Sequence, residues 1–194
     1  MDNIANQATL LYNNMTTNSN TVTTQILSLY DLTATKEALL DTYTPNQTIT
    51  YVTRVENTGS ASLYNLTVVD DLAKGLTQYV DNSVEGYLNG TPIEVNVQIT
   101  NNTVIFTIDN VINPNDNVLI IFETTTPTTR PDVLTNTQTI TANGGSTTGP
   151  IVAVTPNPSA SVKLANYVSL DITKSANKAS IYSGDTLVYT FQII

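Results

Sequence analysis

Polar and apolar residues alternate along much of the chain with the two-residue period of a half-buried strand. The clearest run is Gln47-Thr48-Ile49-Thr50-Tyr51-Val52-Thr53-Arg54-Val55, ended by Asn57-Thr58-Gly59. Residues 63–70 predict the next strand. Asn89-Gly90 lies between apolar-bearing runs at 84–88 and 92–99, the signature of a hairpin with a two-residue primed turn. Asn101-Asn102 turns into a strand at 103–108. Residues 117–125, with Val118-Leu119-Ile120-Ile121-Phe122, predict a buried strand, and 134–142 another, ended by Asn143-Gly144-Gly145. Helix candidates are short and confined to 36–40 and 71–74. About seven strands at roughly 8–12-residue spacing predict an all-β chain, an immunoglobulin-like Greek-key β-sandwich.

Two internal repeats refine this organisation. A shift of 138 residues lays Leu32-Thr33-Ala34-Thr35-Lys36-Glu37-Ala38 on Leu170-Asp171-Ile172-Thr173-Lys174-Ser175-Ala176, and Thr48 and Tyr51 on Thr186 and Tyr189 without a gap. A shift of 130 lays Asn6-Gln7-Ala8-Thr9-Leu10 on Asn136-Thr137-Gln138-Thr139-Ile140. The reading is four segments: a closing or donor strand at 1–26, a complete sandwich at 27–145, a linker at 146–169, and the first two strands of a second, truncated sandwich at 170–194. The linker holds the Pro/Ser-rich stretch Thr155-Pro156-Asn157-Pro158-Ser159-Ala160-Ser161 and is expected to be extended. Ile193-Ile194 lacks the Asn-Thr-Gly turn that ends the equivalent strand, so the chain reads as part of a longer protein.

Composition fits this reading. Thr and Asn make up 58 of 194 residues, 35 and 23 respectively. Thr suits strands and Asn suits turns with positive φ. A disordered tract of the same composition would lack the regular alternation. Sixteen acidic residues against seven basic ones, net −9, argue against nucleic acid, because phosphate binding needs clustered Lys and Arg. No apolar run approaches the roughly 18–20 residues that span a bilayer. Met1-Asp2-Asn3-Ile4-Ala5-Asn6 has no basic region followed by an apolar one, so no secretory signal is read. Cys, His and Trp are absent, which removes disulfides, thiolate metal sites and the commonest general base. No enzyme and no cofactor is expected.

Lys36 in its strand, the block Thr48-Ile49-Thr50-Tyr51-Val52 with Asn57-Thr58-Gly59, then Asn65-Leu66-Thr67-Val68-Val69-Asp70-Asp71-Leu72, and finally Leu134-Thr135-Asn136-Thr137-Gln138-Thr139-Ile140-Thr141-Ala142 together resemble the DUF11 conserved repeat of Firmicutes surface proteins. The opening Ile4-Ala5-Asn6-Gln7-Ala8-Thr9-Leu10 resembles a subgroup that includes ribbon-like appendages of clostridial spores. The resemblance implies a structural subunit on a spore or cell surface, made without an evident secretory signal. Its partners would be copies of itself and other spore-surface proteins, with no nucleic acid and no membrane. The alternative is a stalk or ligand-binding module of a cell-surface adhesin.

Related pilin and adhesin sandwiches often carry an internal Lys–Asn isopeptide bond. The matching positions here are Lys36 and Asn136, with Asp70 as the acid. A buried Lys is a better neutral nucleophile, and a protonated acid polarises the carboxamide and carries a proton to leaving ammonia. Against this stands a structural account: Lys36 as an edge-strand charge, Asp70 as a turn residue, Asn136 bonding its own backbone. The end segments likewise carry two readings. The strand at 1–26 either enters a neighbour's incomplete sandwich, making a head-to-tail filament, or packs on its own domain or frays. In the first case Asn6 would face a partner's Lys174 as an intersubunit isopeptide pair. Weaker signals are five glycosylation sequons at Asn14, Asn46, Asn65, Asn89 and Asn101, and a run of oxygen-bearing residues from Asn113 to Asn117 that reads as a turn rather than a Ca²⁺ loop.

Overall fold

The computed structural model describes residues 3–166 and 172–193. They divide into two compact units, Met1–Leu164 and Ala165–Ile194. The chain is all-β, with no helix among the described residues.

The first unit begins with a hairpin of two broken arms. Strands β1 (Asn3–Asn6) and β2 (Thr9–Tyr12) form one arm, and β3 (Met15–Asn18) and β4 (Val22–Gln25) the other. β2 pairs with β3 and β1 with β4, both antiparallel. Asn13 and Asn14 turn the chain at φ of 49° and 59°, the left-handed pair of a primed turn. Every described residue of this hairpin is exposed, including Ile4, Leu10, Leu11 and Tyr12.

The body of the unit is a two-layer sandwich. Its strands are β5 (Leu32–Ala38), β6 (Thr42–Tyr43), β7 (Thr48–Asn57), β8 (Leu63–Asp71), β9 (Gln78–Tyr79), β10 (Glu85–Leu88), β11 (Thr91–Ile93), β12 (Asn96–Thr100), β13 (Thr103–Ile108), β14 (Asn117–Thr125), β15 (Val133–Gly144), β16 (Ile151–Ala153) and β17 (Ser159–Leu164). One layer runs β11-β10-β14-β7-β5, with β9 on β14. The other runs β12-β13-β8-β15-β17-β6, with β16 on β15. Alternate residues of the long strands point inward, as the period-2 pattern requires: Ile49, Tyr51, Thr53 and Val55 of β7 are buried, and so are Leu134, Asn136, Gln138 and Ile140 of β15. At the centre the Phe106 and Phe122 rings lie 5.0 Å apart, and Tyr51 stacks on Phe122 at 5.7 Å. Burying each such side chain contributes about 1.5–3 kcal/mol.

The structure corrects several expectations. The helix candidate at 36–40 lies largely in β5, whose ladder with β7 overrides local helix propensity. The candidate at 71–74 is a turn in which the Lys74 amide donates to the Asp71 carbonyl. The hairpin at Asn89-Gly90 forms, but its second arm splits: β11 pairs with β10 in one layer and β12 with β13 in the other. Pro92, lacking an N–H, suits the short edge strand that precedes the crossing. The segment read as a linker supplies β16 and β17, both hydrogen-bonded to β15, and it buries Val154 and Val162. The body therefore runs to Leu164 rather than 145.

Asparagine's abundance has a local cause. Ten non-glycine residues have positive φ among those described, and nine are Asn; the tenth is Leu76. The side chain of Asn tolerates the left-handed region better than other L-residues. All five sequon asparagines belong to this set: Asn14, Asn46, Asn89 and Asn101 sit at turns, and Asn65 lies within β8 where its pairing with β15 shifts register. In the run from Asn113, the Asp116 carboxylate accepts from the Asn113 amide and from Asn89 Nδ2, the bonding of a turn.

The second unit is described as one hairpin, β18 (Ile172–Ala176) with β19 (Tyr189–Ile193). Its register sets Lys174 opposite Phe191 and Ala176 opposite Tyr189. This is the register of β5 on β7, Lys36 opposite Thr53 and Ala38 opposite Tyr51, displaced by the repeat length. Residues 170, 171 and 194 of the expected second sandwich lie outside the described residues.

Candidate functional site

The site is a polar cluster sealed between two apolar layers. Lys36 and Thr53 stand opposite each other on β5 and β7 and both point inward. In the facing layer Gln138 of β15 stands opposite Asp70 of β8. Asn136, two residues before Gln138, shares its inward face. Layers of a sandwich lie about 10 Å apart, a gap that a lysine side chain can largely cross.

Three donors converge on one oxygen. Lys36 Nζ donates to Asp70 Oδ2 at 2.7 Å, Gln138 Nε2 at 3.0 Å and Asn136 Nδ2 at 3.1 Å. Thr53 Oγ1 donates to Gln138 Oε1 at 2.7 Å. The Lys36 and Asp70 side chains are wholly inaccessible to solvent. Two oxygens in the cluster, Asp70 Oδ1 and Asn136 Oδ1, have no hydrogen-bond partner among the described residues. An unpartnered buried acceptor costs about 1–3 kcal/mol, so the pair is a structural expense that the core elsewhere must offset.

Burial pulls the Lys36 ammonium down to about 8, against the opposing pull of Asp70's charge and hydrogen bond. The Lys36 Nζ also lies 4.8 Å from the Tyr51 ring centre and 5.1 Å from that of Phe122. Burial, with Asp70's charge adding to it, pushes the Tyr51 phenol up to about 12. The amine is thus dry, in contact with an acid, and close to a neutral amine's regime at moderately alkaline pH.

The three residues read from the sequence, Lys36, Asp70 and Asn136, meet in this cluster. Asp71, the neighbouring carboxylate, faces the other way and pairs at the surface with Lys74 at 2.9 Å. Thr53 and Gln138 were not singled out from the sequence. Their signal was there: each is a polar residue at an inward position of an alternating strand, Gln138 two places from Asn136. Asn6 sits on β1 opposite Val22 and is exposed. Lys174 sits on β18, its Nζ 4.0 Å from the Tyr189 ring centre and 5.4 Å from that of Phe191.

No family model matches the chain, and no curated protein does. Solved structures are similar to it. With BcpA, the major pilin subunit of Bacillus cereus, the TM-score is 0.58 at 13% identity, over 97% of this chain and 62% of that one. With domains D2 and D3 of the major pilin SpaD from Corynebacterium diphtheriae it is 0.54 at 15% identity, over 78% of this chain and 57% of that one. The chain therefore spans less than two thirds of the length of either pilin structure. The shared feature is the fold: an immunoglobulin-like sandwich of the kind found in Gram-positive pilin subunits. The resemblance to DUF11 repeats rests on the sequence motifs alone.

Proposed function

We propose that this chain is a structural module of a bacterial surface filament, and that its sandwich is locked by an isopeptide bond between Lys36 and Asn136. The observation that carries this reading is the convergence of the Lys36 amine and the Asn136 carboxamide on a single buried oxygen of Asp70.

The chemistry follows from that contact. A proton passes from the Lys36 ammonium to Asp70 across their hydrogen bond, leaving a neutral amine and a carboxylic acid. Lys36 Nζ attacks Asn136 Cγ, and Asp70 lends its proton as negative charge develops on the carboxamide oxygen. The Cγ–Nδ2 bond breaks, a new Nζ–Cγ bond remains, and the departing nitrogen takes the amine's surplus proton to leave as ammonia. The groups are held by the folded core, so proximity supplies much of the rate. The bond would tie the first strand of the body to β15, resisting extension under load in a chain without Cys.

The filament itself would be built by strand exchange. The exposed first hairpin, with its apolar residues uncovered, would pair with an open sandwich of another copy, and such head-to-tail contacts propagate. A covalent version would join Asn6 of one copy to Lys174 of the next. The spore-appendage setting rests on the sequence resemblance. Intact mass of the denatured chain tests the central claim: each bond removes about 17 Da as ammonia. A cross-linked peptide containing Lys36 and Asn136 is the expected result, and a chain at its full mass would sink the bond. A denaturant-resistant ladder of multimers would extend the chemistry to the subunit junction.

A further inference from the structure

Two carboxamides, not one, touch the acid oxygen that holds the lysine. Asn136 and Gln138 both donate to Asp70 Oδ2, at 3.1 Å and 3.0 Å. Either is chemically competent to lose ammonia to an amine. Their carbonyl oxygens differ. That of Gln138 is occupied by the Thr53 hydroxyl at 2.7 Å, whereas that of Asn136 has no partner.

We infer that Gln138, anchored by Thr53, is a positioning residue that aims Asp70 at Asn136 and thereby selects Asn136 over itself as the carboxamide that reacts. This inference rests on the isopeptide reading above. Gln138 is held at both ends, its carbonyl by β7 and its amide by the acid, so its carbonyl carbon is not free to turn toward Lys36. Its N–H also shares Asp70 Oδ2 with the ammonium. The acid's other oxygen, Oδ1, is left without a partner, as is Asn136 Oδ1. Asp70 takes the lysine proton on Oδ2, and of the two carboxamides bonded to that oxygen only Asn136 has an unoccupied carbonyl to accept it. Acyl transfer needs that polarisation as the carbonyl oxygen gains charge. The step itself is unchanged: Nζ–Cγ forms on Asn136, Cγ–Nδ2 breaks, ammonia leaves with the surplus proton of the attacking nitrogen, and the carbonyl oxygen returns its proton to Asp70.

The full chain, made in a cell-free system and sampled over time, tests this by intact mass and by mapping the cross-linked peptide. Gln138→Met removes both hydrogen bonds at similar volume and is expected to slow ammonia loss by about 10-fold to 100-fold, with the bond still at Asn136. Thr53→Val removes the anchor at nearly constant shape and is expected to divert part of the cross-link to Gln138. Thr53→Ser restores the hydroxyl and the wild-type product, which a merely structural role for Thr53 would not predict. Wild-type rates with all cross-links at Asn136 in both Gln138→Met and Thr53→Val would overturn the selection role while leaving the bond intact. No ammonia loss in the wild type would instead overturn the parent reading.

Discussion

The hairpins β5–β7 and β18–β19 carry the same lysine in the same register, yet the two lysines live in different chemistry. Each stands against the ring of a tyrosine, Lys36 at 4.8 Å from Tyr51 and Lys174 at 4.0 Å from Tyr189. Lys36 is buried beneath a second layer that supplies Asp70, Asn136 and Gln138. Every described residue of β18 and β19 is exposed. Local pairing is enough to place a lysine over an aromatic ring. Desolvation and the acid both come from strands distant in sequence. The comparison separates what a hairpin can prepare from what only a closed sandwich can activate.

Removing the acid should break the equivalence most strongly. Asp70→Ala strands a buried ammonium and is expected to cost about 3–5 kcal/mol, roughly 10 °C or more in Tm. The partly exposed Lys178–Asp185 pair of the second unit, 3.1 Å apart, should matter by no more than about 1 kcal/mol when Asp185 is changed to Asn. Thermal melts of both variants decide this, and equal losses would show that burial of the first pair is not what distinguishes the hairpins.

The tyrosines give the next largest contrast. Tyr51→Leu loses the stack on Phe122 and should cost about 2 kcal/mol, whereas Tyr189→Leu should stay within about 0.5 kcal/mol. Denaturant unfolding of the two variants provides the comparison. Tyr51→Phe should be neutral or slightly stabilising, because the Tyr51 hydroxyl is buried without a partner.

Acidity sharpens the same distinction. In the proposed bond formation the reactive state of the Lys36–Asp70 pair, neutral amine with protonated acid, holds one proton, as does the ion pair. Raising the pH through about 8 strips that proton from Lys36 and leaves no acid. The rate of ammonia loss should therefore fall above about 8, approaching tenfold per pH unit. A rate that climbs instead would mean that the free amine alone is limiting and that Asp70 has no acid role. The sign for stability is opposite: a lysine whose folded pKa lies below its unfolded value destabilises most at low pH. In the chain before the bond forms, that penalty is relieved from about 8 upward, toward 10.5. The smallest effect is one of access. An amine-acylating reagent applied to the native chain should label Lys174 readily and leave Lys36 untouched, and once the Lys36–Asn136 bond has formed Lys36 stays unlabelled after denaturation as well.

Much of this was legible in the chain. The alternation in 47–55 and 117–125 marked β7 and β14 closely, and Asn89-Gly90 and Asn101-Asn102 marked turns. Lys36 stood out because lysine is rare, and its conjunction with Asp70 and Asn136 came from a family resemblance in motif order. Other features were hidden for physical reasons. The stretch at 146–164 carries Pro and Ser, yet it pairs with β15, because backbone hydrogen bonding and the burial of Val154 and Val162 do not register as local propensity. The arm at 92–99 looked continuous because a crossing between layers changes which neighbour a strand pairs with, not its alternation. Gln138 and Thr53 were written in the inward positions of their strands, but a polar residue in an alternating run does not name its partner.

By itself, the sequence determined the all-β character, the places where the chain turns, and the repeat that sets Lys174 in the register of Lys36. These depend on period-2 patterning and on the tolerance of Asn for positive φ, both properties of a few neighbouring residues. Tertiary structure alone decided that Lys36, Asp70, Asn136, Gln138 and Thr53 share one dry cluster. It also decided which carboxamide keeps a free carbonyl oxygen. Those outcomes depend on two layers closing on each other, since exclusion of water and the meeting of strands separated by 34 to 85 residues are decided only when the sandwich forms.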